Sequence, residues 1–167
     1  AGEIKTKPTQ QSVAKLREIG IMPDIIICRT EHDLDDANKA KIAMFCNVPV
    51  QNVVAFRDVE NTIYECPLDL RKDKIDRLVA DVLNLKSETP NLSAWQDFVD
   101  RIVNPTNEVN IAVVGKYIEL QDAYKSIYES LTISGAAHRT KVNVLRVDAE
   151  EIDEKNAAKM IGEVANN

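Results

Sequence analysis

The run Ile25-Ile26-Ile27-Cys28-Arg29 decides the fold class of this 167-residue chain. Its apolar residues do not alternate with polar ones, which is typical of a strand buried on both faces of a parallel sheet. A second short run of this kind covers residues 53–56, and longer strands are predicted over 109–115 and 141–147. A helical pattern separates the two members of each pair. This order predicts an α/β protein with parallel sheets and right-handed crossovers.

Proline, glycine and polar residues place the remaining elements. Pro8 suits the first turn of a helix, and it biases Lys7 before it toward extended backbone. Residues 86–91 are the best linker candidate. The other predicted elements are, in chain order, a helix from Pro8 to Gly20, an extended connector over 63–67, an amphipathic helix over 71–85, a helix that Ser93 caps, a helix that stops near Gly135 and a final helix over 154–165.

The composition is that of a globular protein, with 44% apolar and 29% charged residues. The net charge of −6 argues against general nucleic-acid binding. No apolar run approaches the roughly 20 residues needed to cross a bilayer, and no signal peptide pattern is present. Three widely spaced cysteines make neither a disulfide framework nor a zinc signature. We therefore expect a cytoplasmic protein with neither membrane nor nucleic-acid partners.

The strongest candidate for a binding site is the segment Gly2-Glu3-Ile4-Lys5-Thr6-Lys7-Pro8-Thr9-Gln10-Gln11-Ser12. Lys5 and Lys7 are two residues apart, so in an extended chain both ammonium groups leave the same side of the backbone. They stand beside a predicted helix N-terminus, whose free N–H groups favour anions. This arrangement predicts a cradle for a phosphate chain. A surface loop with two solvated lysines is the alternative that the residues alone leave open.

Other apparent motifs in the sequence do not indicate a functional site. Gly115-Lys116 is not a Walker A loop, because that motif needs a glycine where Asn110 stands and Ser or Thr where Tyr117 stands. His32 and His138 are too far apart in the chain to indicate a metal site or a catalytic triad, and we expect both at the surface. The cysteines are expected to be buried or half-buried thiols. We predict no metal ligand and no catalytic residue in this chain.

The segment Gly2 to Ser12 resembles the nucleotide-binding segment of the CTP synthase family. The similarity runs in one register over essentially all 167 residues. Gln121 stands where the family pattern has proline. The further matching stretches are Gly20-Ile21, Pro23-Asp24-Ile25, Cys28-Arg29, Lys41-Ile42-Ala43, Phe45-Cys46-Asn47-Val48, Asp58-Val59, Val114-Gly115-Lys116-Tyr117-Ile118-Glu119-Leu120 and Asp122-Ala123-Tyr124-Lys125-Ser126.

The resemblance implies two incomplete domains. Residues 1–85 would be the C-terminal part of a synthetase (amidoligase) domain with the Rossmann-like parallel sheet of P-loop NTPases. Residues 86–107 would be an interdomain linker with a helix. Residues 108–167 would be the first β-α-β-α of a flavodoxin-like class I glutamine amidotransferase (glutaminase) domain. We therefore expect the middle of a longer enzyme, inactive alone, with the phosphate loop and Mg²⁺ ligands before it and the glutaminase triad after it.

The family makes CTP from UTP, ATP and glutamine, with GTP as activator and Mg²⁺ as cofactor. ATP phosphorylates the uracil O4, and ammonia from glutamine then displaces the phosphate. The resemblance also implies a homotetramer that shares the UTP site between subunits. Matching positions imply UTP or CTP binding by Lys5, Thr6, Lys7, Pro8, Thr9, Gln10, Lys41 and Phe45, ATP binding by Arg29, Arg57, Asp58 and Val59, and an interdomain role for Lys116, Tyr117 and Lys125.

Two other classes of protein remain open at this point. One is a non-catalytic α/β interaction module that binds nucleotide or phosphate weakly through the same segment. The other is a generic phosphate-binding protein, which a comparison of UTP with ATP binding would distinguish.

Overall fold

The computed structural model describes residues 4–165, and their side chains through residue 162. The described chain divides into two compact units, the first ending at Pro90 and the second beginning at Asn91. The first unit contains α1 (Lys7–Glu18), β1 (Ile26–Thr30), α2 (Asp36–Cys46), β2 (Val53–Arg57), α3 (Cys66–Lys72) and α4 (Ile75–Val82), with short 3₁₀ helices at Val50–Asn52 and Ile63–Glu65. The second contains α5 (Ser93–Val103), β3 (Asn107–Gly115), α6 (Gln121–Ala137), β4 (Thr140–Asp148) and α7 (Ala157–Ala165).

The strands pair as predicted. β1 and β2 are parallel, in a register that runs from Ile26 opposite Val53 to Thr30 opposite Arg57. β3 and β4 are also parallel. Each pair is connected through a helix, α2 in the first unit and α6 in the second. The α/β class with parallel strands is therefore confirmed.

The prediction that β1 is buried on both faces is wrong. Ile26 is buried and Cys28 packs against the core, but Ile27 between them is 50% exposed. Successive side chains of a strand point to opposite faces, and the face that carries Ile26 and Cys28 packs against a core to which α1 and α2 contribute. The core on that face consists of Val13, Ile26, Leu34, Ile42, Ala43, Cys46, Val48 and Val53.

The stretch from residue 63 to residue 85 also differs from its prediction. The expected extended connector is helical, because Thr62 and Glu65 form a capping box and Pro67 occupies the first turn of α3. The expected single helix over 71–85 is broken at Lys74, which has a left-handed φ of 56°. Across this break Arg71 pairs with Asp76, with an N–O distance of 2.9 Å.

The ends of the helices in the second unit lie within a few residues of their predicted positions. Ser93 is not an N-cap but the first residue of α5, and its N–H donates to Asn91 Oδ1 at 3.0 Å. Helix α6 ends at Ala137, two residues after Gly135, near which its end was predicted. The final helix starts at Ala157, because Asp153 and Asn156 hydrogen-bond to each other in a turn before it. No helix among residues 4–165 is both long and apolar enough to span a bilayer.

Candidate functional site

The start of α1 is anchored by a buried threonine. Thr6 is 5% exposed. Its hydroxyl accepts from Gln10 Nε2 at 3.1 Å and its carbonyl accepts from the Gln10 N–H at 3.2 Å. Lys5 and Lys7 on either side of it are exposed. The anchored turn therefore holds two ammonium-bearing residues at a helix start, where free N–H groups favour anions.

Lys7 itself is helical, and the prediction of extended backbone there is wrong. α1 begins at Lys7, with Pro8 in its first turn. The steric bias against helical backbone before proline is a preference, and the two bonds between Thr6 and Gln10 outweigh it. Lys5 and Lys7 therefore do not stand on one side of an extended segment.

Helix α2 carries the other two residues assigned to UTP. Lys41 and Phe45 are four residues apart, so they share one face of the helix, and both are exposed. Asp35 caps the start of α2 by accepting from the Asn38 N–H at 2.7 Å. The opposite side of the helix is fixed in the core by Ile42, which is 2% exposed. This packing leaves the Lys41 face open.

Helices α1 and α2 contact each other within the first unit. Arg17 of α1 donates from Nη2 to the carbonyl of Cys46, the last residue of α2, at 2.7 Å. Val13 of α1 and Ala43 of α2 belong to the same core. The structure thus brings the two helices that carry the assigned UTP residues onto one core.

Two crossed ion pairs occupy the carboxyl edge of β1 and β2. Arg29 of β1 reaches Asp58 beyond β2 with an N–O distance of 2.5 Å, and Arg57 of β2 reaches Asp33 beyond β1 at 3.2 Å. The hydrogen bond from Arg29 lowers the pKa of the Asp58 carboxyl and raises that of the guanidinium. Val59, the next residue, is half-buried.

All four partners of these pairs are exposed. The edge at the C-terminal ends of parallel strands is where open α/β sheets bind ligands. The arrangement can therefore present two guanidinium groups, each held by a carboxylate, to a ligand. Sequence reasoning missed Asp33, although its position in the loop directly after β1 was a usable signal.

The three residues assigned an interdomain role lie on or near the loop after β3. Lys116 pairs with Glu150 at 3.5 Å. Tyr117 has a left-handed φ of 59° and is 69% exposed. Lys125 is exposed on α6. Sequence reasoning missed Tyr124, whose hydroxyl donates to the Lys116 carbonyl at 2.7 Å, although it lies within one of the matching stretches.

The described residues of the types that bind metals or act as nucleophiles do not form a site. Among the described residues, no group of three or more His, Cys, Asp or Glu could hold a metal ion. His32 and His138 are exposed, as expected. The thiols are free and buried or half-buried, also as expected. Burial raises the pKa of Cys28 and of Cys46, which makes both poor nucleophiles.

Comparison with known proteins identifies the family of this chain. The family model described as CTP synthase N-terminus matches residues 1–85. The chain belongs to the CTP synthase family. The CTP synthase of Methanococcus maripaludis is 48% identical over 164 residues, which are 98% of this chain and 31% of that protein. The CTP synthase of Methanocaldococcus jannaschii is 49% identical over 161 residues, 96% of this chain and 30% of its own length.

Bacterial members of the family are as similar. The CTP synthase of Zymomonas mobilis is 48% identical over 157 residues, or 93% of this chain and 29% of that protein. The match to these CTP synthases extends across both structural units. The chain nevertheless spans only about 30% of the length of the curated relatives that it matches.

Proposed function

We propose that this chain forms the UTP- and CTP-binding segment, and one edge of the ATP site, of an enzyme that makes CTP from UTP, ATP and glutamine. In this reaction ATP phosphorylates the uracil O4, and ammonia released from glutamine then displaces that phosphate. The observation that carries the proposal is the anchored start of α1, where Lys5 and Lys7 flank a buried Thr6 inside the family match.

The triphosphate of UTP, or of CTP as feedback inhibitor, is the ligand of the two helices. Lys5, Lys7 and Lys41 supply exposed ammonium groups, which act as point charges that can follow a flexible phosphate chain. A hydrogen bond to a charged group contributes about 1.5–3 kcal/mol. Phe45 lies one helical turn after Lys41 and borders the nucleotide. The remaining residues of this proposed site are Thr6, Pro8, Thr9 and Gln10.

The carboxyl edge of β1 and β2 is proposed to border the adenine of ATP through Arg29, Arg57, Asp58 and Val59. A planar guanidinium can stack on an aromatic base as well as pair with a carboxylate. The crossed ion pairs support this role, because they place both guanidinium groups at this edge.

The rest of the proposal concerns the whole enzyme. Residues 1–85 belong to a synthetase domain of the P-loop NTPase type, 86–107 to a linker and 108–167 to a flavodoxin-like glutaminase domain. Lys116, Tyr117 and Lys125 serve the coupling of glutamine hydrolysis to CTP synthesis. The enzyme is a cytoplasmic homotetramer that shares its UTP site between subunits, and GTP activates it. We expect the Mg²⁺ ligands of the enzyme to lie in segments other than this chain.

The Lys7→Ala variant of the full-length enzyme tests the UTP site. We expect UTP binding to weaken at least about tenfold, equivalent to 1.4 kcal/mol, because one charged hydrogen bond to phosphate is lost. Isothermal titration with UTP measures the change. Lys15→Ala is the matched control, since Lys15 is exposed on the same helix but pairs with Glu18 at 2.7 Å. Equal UTP affinities in the two variants would refute the assignment.

A further inference from the structure

The loop that follows β3 has a backbone that needs support. Tyr117 has a φ of 59°, a conformation that costs a residue with a Cβ free energy and persists only where the surroundings hold it. The side chain of Tyr117 is 69% exposed, so it contributes little packing of its own. The ion pair between Lys116 and Glu150 is also exposed. Neither side chain of this dipeptide explains why its backbone is fixed.

The support comes from Tyr124 on α6. Its hydroxyl donates to the carbonyl of Lys116 at 2.7 Å, the residue directly before Tyr117. The ring also lies against the backbone of Gly115, where an added Cβ would overlap the Tyr124 hydroxyl and ring. A glycine at the end of β3 therefore makes room for the tyrosine, and the tyrosine in turn fixes the next peptide group.

Tyr124 is itself held by its neighbours. Its ring stacks on that of Tyr128, one helical turn later, with ring centroids 6.2 Å apart and planes at 28°. The guanidinium carbon of Arg146 on β4 lies 4.9 Å from the centroid of the Tyr128 ring. Aromatic stacking and cation–π contact both restrict ring position. A continuous row of side chains therefore connects β4 to the loop after β3.

We propose that Tyr124 is a positioning residue, which holds the Lys116–Tyr117 backbone in the conformation that couples glutamine hydrolysis to CTP synthesis. The inference rests on the proposed function, in which Lys116 and Tyr117 serve that coupling. It adds that the coupling depends on one hydroxyl, which donates to a backbone carbonyl of this loop. Tyr124 acts through the carbonyl of Lys116, so its loss should affect glutamine-dependent synthesis more than synthesis from free ammonia.

The test compares two Tyr→Phe variants of the full-length enzyme. Tyr124→Phe removes the hydroxyl that bonds to Lys116. Tyr128→Phe is the matched control, because its hydroxyl is buried and has no hydrogen-bond partner among the described residues. CTP formation is measured for each with glutamine and with ammonium as the nitrogen source, and hydrogen exchange is measured in residues 116–120.

We expect Tyr124→Phe to lower the glutamine-dependent rate at least fivefold and to speed hydrogen exchange in residues 116–120. Its ammonia-dependent rate should stay within twofold of the unaltered enzyme, and Tyr128→Phe should leave both rates within twofold. Equal losses with both nitrogen sources, or no loss with either, would overturn the role of Tyr124 alone. An unaltered enzyme that makes no CTP from either source would overturn the proposed function, and this inference with it.

Discussion

Replacing Gly135 with alanine should destabilise the second unit, although alanine is the better helix former. Gly135 is buried within α6, two residues before its end. A Cβ at this position would overlap the backbone carbonyl oxygen of Thr140 and lie 3.0 Å from Cγ2 of Val142. The first contact is with backbone at the start of β4, so no flexible side chain can move aside.

Two opposing terms give the magnitude. Glycine in a helix interior costs about 1 kcal/mol relative to alanine, which the substitution would recover. Overpacking a closed contact costs about 1–3 kcal/mol, and the upper end applies because the neighbour is backbone. The free energy of unfolding should therefore fall by about 2 kcal/mol for Gly135→Ala.

Urea unfolding followed by tryptophan fluorescence measures this loss. Trp95 is the only tryptophan of the chain and lies on α5, which packs against α6. Gly162→Ala is the control, because no atom of the described residues lies within 4 Å of a Cβ added there. It should stabilise the unit by up to about 1 kcal/mol. If the Gly135→Ala and Gly162→Ala variants had the same free energy of unfolding, the contact between Gly135 and Thr140 would not be close-packed.

Two further predictions concern the first unit. Ile42→Ala should lower the free energy of unfolding by about 2–5 kcal/mol, because Ile42 is a core residue that is 2% exposed. Met44 is 70% exposed, so Met44→Ala should change the free energy of unfolding by no more than about 0.5 kcal/mol. Chemical denaturation would show equal effects if Ile42 were not a core residue. Arg29→Met should raise the pKa of Asp58 toward its ordinary value, measured by carboxyl carbon-13 NMR, and Arg57→Met should not.

The lowered pKa of Asp58 determines how its contribution to the stability of the fold changes with pH. A carboxyl whose pKa is lower in the folded than in the unfolded state stabilises the fold above the unfolded value. That contribution is lost as the pH falls through the folded pKa. Both Asp58 and Arg29 are exposed, so solvent and salt screen the pair and its effect on stability should be small. An Asp58 pKa unchanged in Arg29→Met would refute the pairing.

Local patterns predicted the elements whose signals are contained within a few residues. The apolar run at 25–29 predicted β1, and Pro8 placed the first turn of α1. The helical connector at 63–72 was missed, because the capping pair of Thr62 and Glu65 outweighed an extended-looking composition. The break at Lys74 was missed because nothing in its side chain signals a left-handed backbone.

Contacts between residues that are far apart in the sequence could not be predicted from local patterns. The sequence placed Arg29 and Arg57 at strand ends but did not show that each would pair across to the other strand's loop. The exposure of Ile27 depends on how many layers cover the sheet, which a β-branched run does not encode. Lys5 and Lys7 were found from their position at a helix start, whereas a specific nucleotide as their ligand came only from the resemblance.

The structure of the full-length enzyme bound to UTP tests the central claim most directly. We expect oxygens of the UTP triphosphate to lie within about 3.2 Å of the ammonium groups of Lys5, Lys7 and Lys41, whether from one subunit or from neighbouring ones. A triphosphate bound away from all three, with their ammonium groups in solvent, would contradict the claim that the start of α1 and the open face of α2 bind UTP.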